Sequence, residues 1–320
     1  MYPAIGEASI SIQVKIINSF PELYELGWII FDEPMSKHTS FEIGGPAEVF
    51  CYPQSLYQLA VLVNFAIQNQ IPYLVIGKGS NLLISDKGLP GMVLSTQGLT
   101  GTKVYEGYIY AETGIELKSL CDIAMQAGLS GLEFACGIPG SLGGAVYMNA
   151  GAYNGEISQV LDKSICLVPA VIDSAFPLPI EQLHNTAHDF SYRHSALQDR
   201  SLIHYASVFQ LKPDQPEAIA KRMADLDEQR SSKQPLDMPS AGSVFKRPTG
   251  HFTGKLIDDC GLRGYRIGGA MISDKHCGFI VNTGGATAHD VLSLIEYIQQ
   301  TIWQRYQINL EPEIRLIGER

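Results

Sequence analysis

A chain of 320 residues that is 45% apolar and 18% charged can bury a sizeable core, which excludes disorder for most of its length. Its 23 Lys and Arg against 33 Asp and Glu leave a formal charge of −10, which argues against a broad nucleic-acid footprint but leaves room for a local basic pocket that takes a small anion. Glycine, at 31 residues, exceeds ordinary usage, so where the glycines cluster becomes the question.

In chain order, the first ~30 residues are weakly patterned and read as an extension with one short helix over 20–26. Leu56, Leu59, Ala60, Val63, Ala66 and Ile67 recur at helical spacing and predict a helix over 54–70. Residues 72–76 and 82–84 read as short strands around the turn Gly77-Lys78-Gly79-Ser80-Asn81. Strands follow at 92–95 and 108–112, then a helix over 117–127 with Gly128 as its C′ residue. A Gly-rich loop region is expected from 128 to 155, and alternating strands over 160–211. A polar-faced helix covers 217–230. Short strands and turns fill 241–285, with a helix over 254–260. Val291, Leu292, Leu294, Ile295, Ile298 and Ile302 predict an amphipathic helix over 289–306, and the tail over 309–317 alternates like a strand. Strands mixed with a few long helices point to an α+β protein.

The six cysteines, at 51, 121, 136, 166, 260 and 277, form no CxxC pair and suit a reducing compartment. Neither a signal-peptide pattern nor a ~20-residue apolar run is present, so a cytoplasmic protein without membrane insertion is expected.

Two glycine clusters carry the first hint of chemistry. In the 77–81 turn, closely spaced glycines let backbone N–H groups converge into an anion-binding nest, with Ser80 and Asn81 as added donors. A strand follows and position 82 is Leu, so the turn is neither a dinucleotide fingerprint nor a P-loop. The second cluster runs through Gly137, Ile138, Pro139, Gly140, Ser141, Gly143 and Gly144 to Asn149 and Gly151. Stretches this small-sided allow backbone to approach a large flat ligand and its phosphates, although either one alone could be a ligand-free turn.

The motifs His38-Thr39-Ser40-Phe41-Glu42-Ile43-Gly44-Gly45, the 77–81 turn, residues 138–153, Ser191-Tyr192-Arg193-His194-Ser195, Ala241-Gly242-Ser243-Val244-Phe245-Lys246, Gly268-Gly269-Ala270 and 310–315 occur in family order. Together they closely resemble the UDP-N-acetylenolpyruvoylglucosamine reductases, in their shorter subtype, over nearly the whole chain. The resemblance implies an FAD-binding domain of the vanillyl-alcohol-oxidase type in two subdomains plus a C-terminal α+β substrate-binding domain. The expected division is an extension over 1–30, one FAD-binding subdomain over 31–97 with 313–320, a second over 98–233, and the substrate-binding domain over 234–312. Both glycine clusters would line the FAD. NADPH would be the reductant and UDP-N-acetylglucosamine enolpyruvate the substrate, in a monomer that needs no metal and no nucleic acid.

The resemblance assigns three catalytic residues. Arg193 would stabilise negative charge developing on the substrate carboxylate. Ser243 would protonate C2, with Lys246, three residues on, as one candidate to resupply the proton. Glu313, beside an anionic intermediate, would be useful only while holding a proton or polarising a donor. Tyr192, Arg230, Lys233, Lys246 and Asn282 are the expected substrate contacts, with Lys275 and His276 as further candidates. Arg247-Pro248 departs from the family's usual Asn-Pro. The segment between Arg193 and Lys233 has no room for the inserted loop, with its substrate-clamping Tyr, that the longer subtype carries. An FAD oxidase of the same cofactor fold and a non-catalytic flavin or nucleotide binder remain as alternatives.

Overall fold

The computed structural model describes residues 11–169 and 178–319. Residues 1–10, at the head of the expected extension, and 170–177, inside the expected strand region, lie outside the described residues.

The first layer is a four-stranded sheet in the spatial order Ile29–Pro34, Pro46–Cys51, Leu89–Ser95, Tyr73–Ile76. The first pair is antiparallel and the other two are parallel. The parallel connection requires a crossover, which the Leu56–Gln68 helix supplies. Ser55 caps that helix by accepting from the Gln58 N–H (3.2 Å). Its Leu59, Leu62, Val63 and Ala66 pack with Val49, Met92 and Leu94 of the sheet. The N-terminal segment joins the same core. Where one helix is expected over 20–26, two are found, Ile12–Ser19 and Pro21–Glu25. The reason is the four-residue spacing of Ile12, Ile16 and Phe20, which puts all three on the side facing the core. Ile16 is fully buried, and the Phe20 ring meets Phe65 edge-on at 5.1 Å.

The second layer is a wholly antiparallel five-stranded sheet, ordered Ile180–His184, Leu161–Leu167, Ile203–Gln210, Tyr108–Glu112, Thr102–Tyr105. The Leu117–Gln126 helix covers it and ends at Gly128, whose φ of +64° fits the C′ role read from the sequence. The 128–155 stretch is not all loop. Leu142–Tyr147 is helical, with Leu142, Ala145 and Val146 buried on one side. Gly143 and Gly144 make it a poor helix by propensity, so tertiary packing holds it.

The third unit is an antiparallel sheet of Arg266–Ile267, Ala270–Ile272 and Ile280–Asn282. Against it lie the short Thr253–Asp259 helix and the long Ala288–Tyr306 helix. The long helix opens on a capping box: Thr287 Oγ1 accepts from the Asp290 N–H (3.0 Å), and the Asp290 carboxylate accepts from the Thr287 N–H (3.1 Å). Val291, Leu294, Ile295, Ile298 and Ile302 bury its apolar stripe, each contributing about 1.5–3 kcal/mol.

The C-terminal segment stitches these units together. Expected as one strand over 309–317, it forms a strand only at Arg315–Ile317, parallel to Leu82–Ile84. Upstream it is held piecewise. The Lys246 N–H donates to the Glu311 carbonyl (2.9 Å), the Glu313 N–H to the Val244 carbonyl (2.7 Å), and the Arg315 N–H to the Asn81 carbonyl (2.9 Å). Glu313 is thereby hung between the 241–246 loop and the 77–81 turn.

Candidate active site

The three units enclose a cleft of about 1390 Å³. Its walls include Gly77, Lys78, Gly79, Ser80 and Asn81 from the first layer. Ile138, Pro139, Gly140, Ser141, Gly143, Gly144 and Gly151 come from the second, and Arg193, Ser243 and Glu313 meet them there.

The glycine clusters face each other across a narrow gap. A Cβ on Gly77 would lie 1.9 Å from Ser141 Oγ, and one on Gly140 would lie 3.0 Å from Ser80 Oγ. Gly79, at φ +68°, would drive a Cβ to 2.1 Å from the His38 carbonyl. Only glycine lets these backbones come together. The Ser141 Oγ is buried yet has no hydrogen-bond partner among the described residues, and the same holds for the Gln234 Oε1, which lines the same cleft. Orphaned polar atoms beside glycine-lined backbone suit a ligand that brings its own polar groups, as a dinucleotide does.

Arg193 sits in a tight turn. The Ser191 N–H donates to the His194 carbonyl and the His194 N–H to the Ser191 carbonyl, both at 3.2 Å. The turn forces Arg193 to φ +58°, a left-handed conformation unusual for a long side chain. Asn149 secures the turn. Its Nδ2 donates to the Ser191 carbonyl (3.1 Å) and its Oδ1 accepts from the Ser158 N–H (3.0 Å). From this turn the Arg193 Nε donates to Glu313 Oε1 at 2.7 Å. Glu313 therefore has a cation against it and is not isolated in an apolar pocket. Arg315 stands apart from this pair: its guanidinium lies 5.0 Å from the Tyr147 ring centre and donates to Gln198 Oε1 (3.1 Å).

Several expected contacts lie elsewhere. Asn149 acts behind the wall, as described. Gly137 is not on the cleft surface; it makes room for Arg230, whose Cδ would be 2.8 Å from an added Cβ. Arg230 does reach the cleft, where burial works against its charge. Lys233, the last residue of the Pro216–Lys233 helix, is exposed outside the cleft, where its charge complements the dipole of the helix end. Lys246 pairs with Glu311 and does not serve Ser243. No helix runs through 243–246, where the chain bends at Gly242 and Val244, so three residues' spacing does not bring the two side chains onto one face. Asn282 is buried in a strand. Its amide donates to the Phe41 carbonyl (3.1 Å) and accepts from the Gly284 (2.9 Å) and Ala286 (3.1 Å) N–H groups, so it locks a turn.

Tyr192, Lys275 and His276 line the cleft. The His276 Nδ1 accepts from the Gly278 N–H (3.0 Å), and burial lowers its pKa. Sequence reading missed Arg247, Phe252, Arg263, Arg315 and a polar chain behind Gly143. In that chain the His204 Nδ1 meets Thr113 Oγ1 (3.0 Å) and its Nε2 meets Ser207 Oγ (2.8 Å). Burial pushes the His204 pKa down to about 3. Arg247 and Arg315 stand in or beside motifs legible in the sequence, but nothing local marks them for the cleft, and Phe252, Arg263 and His204 lie outside both the motifs and the glycine clusters. Among the described residues no group of His, Cys, Asp or Glu is placed to hold a metal ion, and no helix is long and apolar enough to cross a membrane.

Comparison with known proteins agrees with this geometry. Residues 47–173 match a family model described as FAD binding domain, and 234–317 match one described as UDP-N-acetylenolpyruvoylglucosamine reductase, C-terminal domain. A UDP-N-acetylenolpyruvoylglucosamine reductase of Clostridium botulinum is 47% identical over 95% of this chain and 97% of its own length. One from Caldanaerobacter subterraneus is 45% identical over 95% and 99%. The crystal structure of the corresponding reductase from Thermus caldophilus superposes with a TM-score of 0.75 at 34% identity, covering 91% of this chain and 98% of that one.

Proposed function

The chain belongs to the UDP-N-acetylenolpyruvoylglucosamine reductase family, FAD-dependent oxidoreductases of peptidoglycan precursor synthesis, and from that premise we propose how its residues divide the reaction. The substrate is UDP-N-acetylglucosamine enolpyruvate, the product UDP-N-acetylmuramate, the reductant NADPH, and the setting the cytoplasm. FAD would be held between the two glycine turns, against the backbone of residues 77–81 and 138–144, and would there supply the hydride for C3 of the enolpyruvyl group, with NADPH as the reductant.

Hydride arrival at C3 pushes electrons toward the substrate carboxylate. Arg193 meets that charge. Its Nε is held by Glu313, which leaves the terminal amino groups of the planar fork for the carboxylate. Glu313 is thus first a positioning residue for Arg193. Ser243 gives its hydroxyl proton to C2. Among the described residues no side chain hydrogen-bonds that hydroxyl, and Ser243 is exposed to the cleft, so its proton is returned from solvent. The observation that carries the reading is the Arg193–Glu313 pair. Two residues 120 positions apart meet at 2.7 Å in the cleft wall that also holds Ser243.

Anaerobic mixing tests it. NADPH should bleach the flavin of the loaded enzyme, and the enolpyruvyl UDP-sugar should restore its colour without oxygen. Ser243→Ala should keep the bleaching step and slow the recolouring step by about 10²–10⁴-fold. Equal loss of both steps would remove Ser243 from proton transfer. An oxidase would need oxygen to recolour, and a binding protein would not turn over.

A further inference from the structure

Behind Gly143 a chain of buried polar groups runs from the cleft into the five-stranded sheet. Thr113 Oγ1 meets His204 Nδ1 (3.0 Å), His204 Nε2 meets Ser207 Oγ (2.8 Å), and Ser207 Oγ meets Ser164 Oγ (3.2 Å). All four residues are buried. A strand normally sends side chains three apart to opposite faces, yet those of His204 and Ser207 touch. A bulge in the Ile203–Gln210 strand is the reason. Ile165 pairs with Ala206 and the next residue, Cys166, with His204, so Tyr205 is an extra residue that turns His204 to the side of Ser207. At its other end the chain reaches the cleft, which Thr113 and His204 line. A Cβ on Gly143 would lie 2.1 Å from Thr113 Oγ1, so glycine is the residue that leaves this hydroxyl uncovered.

The hydrogens of such a chain run in one direction. Burial keeps the His204 imidazole neutral, so one ring nitrogen donates and the other accepts. Running inward, Thr113 would donate to Nδ1, the Nε2–H to Ser207, and Ser207 to Ser164. The fully buried Ser164 hydrogen would then have no acceptor, because Ser207 is the one partner of that hydroxyl among the described residues. An unmet buried donor is the costly kind. Running outward, Ser164 donates to Ser207, Ser207 to Nε2, and the Nδ1–H to Thr113 Oγ1. Every internal hydrogen then has an acceptor, and the hydrogen left over is that of Thr113, at the cleft wall.

We propose that Thr113 is a cofactor-binding residue, its hydroxyl donating to an acceptor atom of bound FAD, and that His204 is its positioning residue, held by Ser207 and Ser164 as the Nδ1–H tautomer that keeps Thr113 a donor. The assignment rests on the reading that places FAD between the two glycine turns. It adds to that wall one hydroxyl whose direction is set from behind, by side chains that never meet the cofactor.

The test uses the FAD-loaded enzyme. Its Kd for FAD is read from flavin fluorescence on dilution, and the histidine tautomers from nitrogen-15 spectra. Thr113→Val keeps the shape and removes the hydroxyl; it should weaken FAD by about three- to tenfold, the worth of one hydrogen bond to an uncharged acceptor, and by more if the acceptor is a pyrophosphate oxygen. Thr113→Ser keeps the hydroxyl and should stay within about twofold of wild type. Ser207→Ala frees His204 to take the other tautomer. Alone it should weaken FAD by about threefold, but once residue 113 is Val it should add almost nothing, a coupling that general damage to the fold does not produce. In the wild-type spectrum His204 should carry its proton on Nδ1. FAD held equally by wild type and Thr113→Val, additive losses in the double variant, or a proton on Nε2 overturns the proposal. A wild-type chain that holds no FAD removes the cofactor reading itself, and this proposal with it. No measurement here needs the substrate, so the result is independent of the roles given to Arg193, Ser243 and Glu313.

Discussion

Arg193 holds a conformation that costs about 1–2 kcal/mol relative to the right-handed region, and such cost gathers where function requires it. Two replacements separate the conformation from the chemistry. Arg193→Gly and Arg193→Ala should both stop substrate reduction, since neither offers a cation. The glycine variant should nevertheless be the more stable of the two by about 1 kcal/mol, read from paired thermal melts. Equal melting temperatures would mean that the turn relaxes. The sequence pointed to Arg193, Ser243 and Glu313 through their motifs. It could not show that Glu313 reaches Arg193, because that contact spans 120 positions and depends on the tail being hung between two loops. Lys246 misled for a local reason: a spacing of three brings side chains together on a helix face, and no helix runs through 243–246.

Among the elements, the two glycine turns were legible because backbone that must nearly touch leaves only one residue choice. The structure adds which contact can yield. At Gly77 the obstacle is a rotatable serine hydroxyl, whereas at Gly79 it is the His38 main chain. Gly77→Ala should lower flavin occupancy, measured as the 450 nm to 280 nm absorbance ratio, and Ser141→Gly in the same chain should restore part of it. Gly79→Ala should lose more flavin, with no single-residue rescue. The Leu142–Tyr147 helix escaped the sequence reading for the opposite reason. It has six residues and two glycines, so nothing local specifies it, and the layer beneath holds it in place.

Across the whole molecule, the acidic composition conceals two histidines that resist charging. His204 is buried in its hydroxyl chain. His188 is fully buried, stacked on Phe190 with ring centres 4.7 Å apart. Burial pushes their pKa values down to about 3 and about 4, from 6.5. The unfolded chain therefore binds protons that the fold does not. This stability is fully present above pH 6.5 and drains as pH falls toward 4 and then 3, on the order of a few kcal/mol in all. Urea titrations at pH 7.5 and pH 5 should show the loss, and His188→Phe should narrow the gap between the two midpoints by about half, His204 keeping the rest; an undiminished gap would place the acid sensitivity elsewhere. The overall α+β class was readable from strand and helix periodicity alone. The packing that isolates these histidines was not, since His188 sits in a polar segment and the partners of His204 across the strand, such as Thr113, are remote in sequence. The piecewise hanging of Glu313 also sets a timetable. A ribosome delivers the 77–81 turn, Arg193 and Ser243 long before the residue that joins them. Until Glu313 and the Arg315–Ile317 strand emerge, Arg193 lacks this counter-ion and Leu82–Ile84 its parallel partner, so the cleft is finished only after all three of its walls have been made.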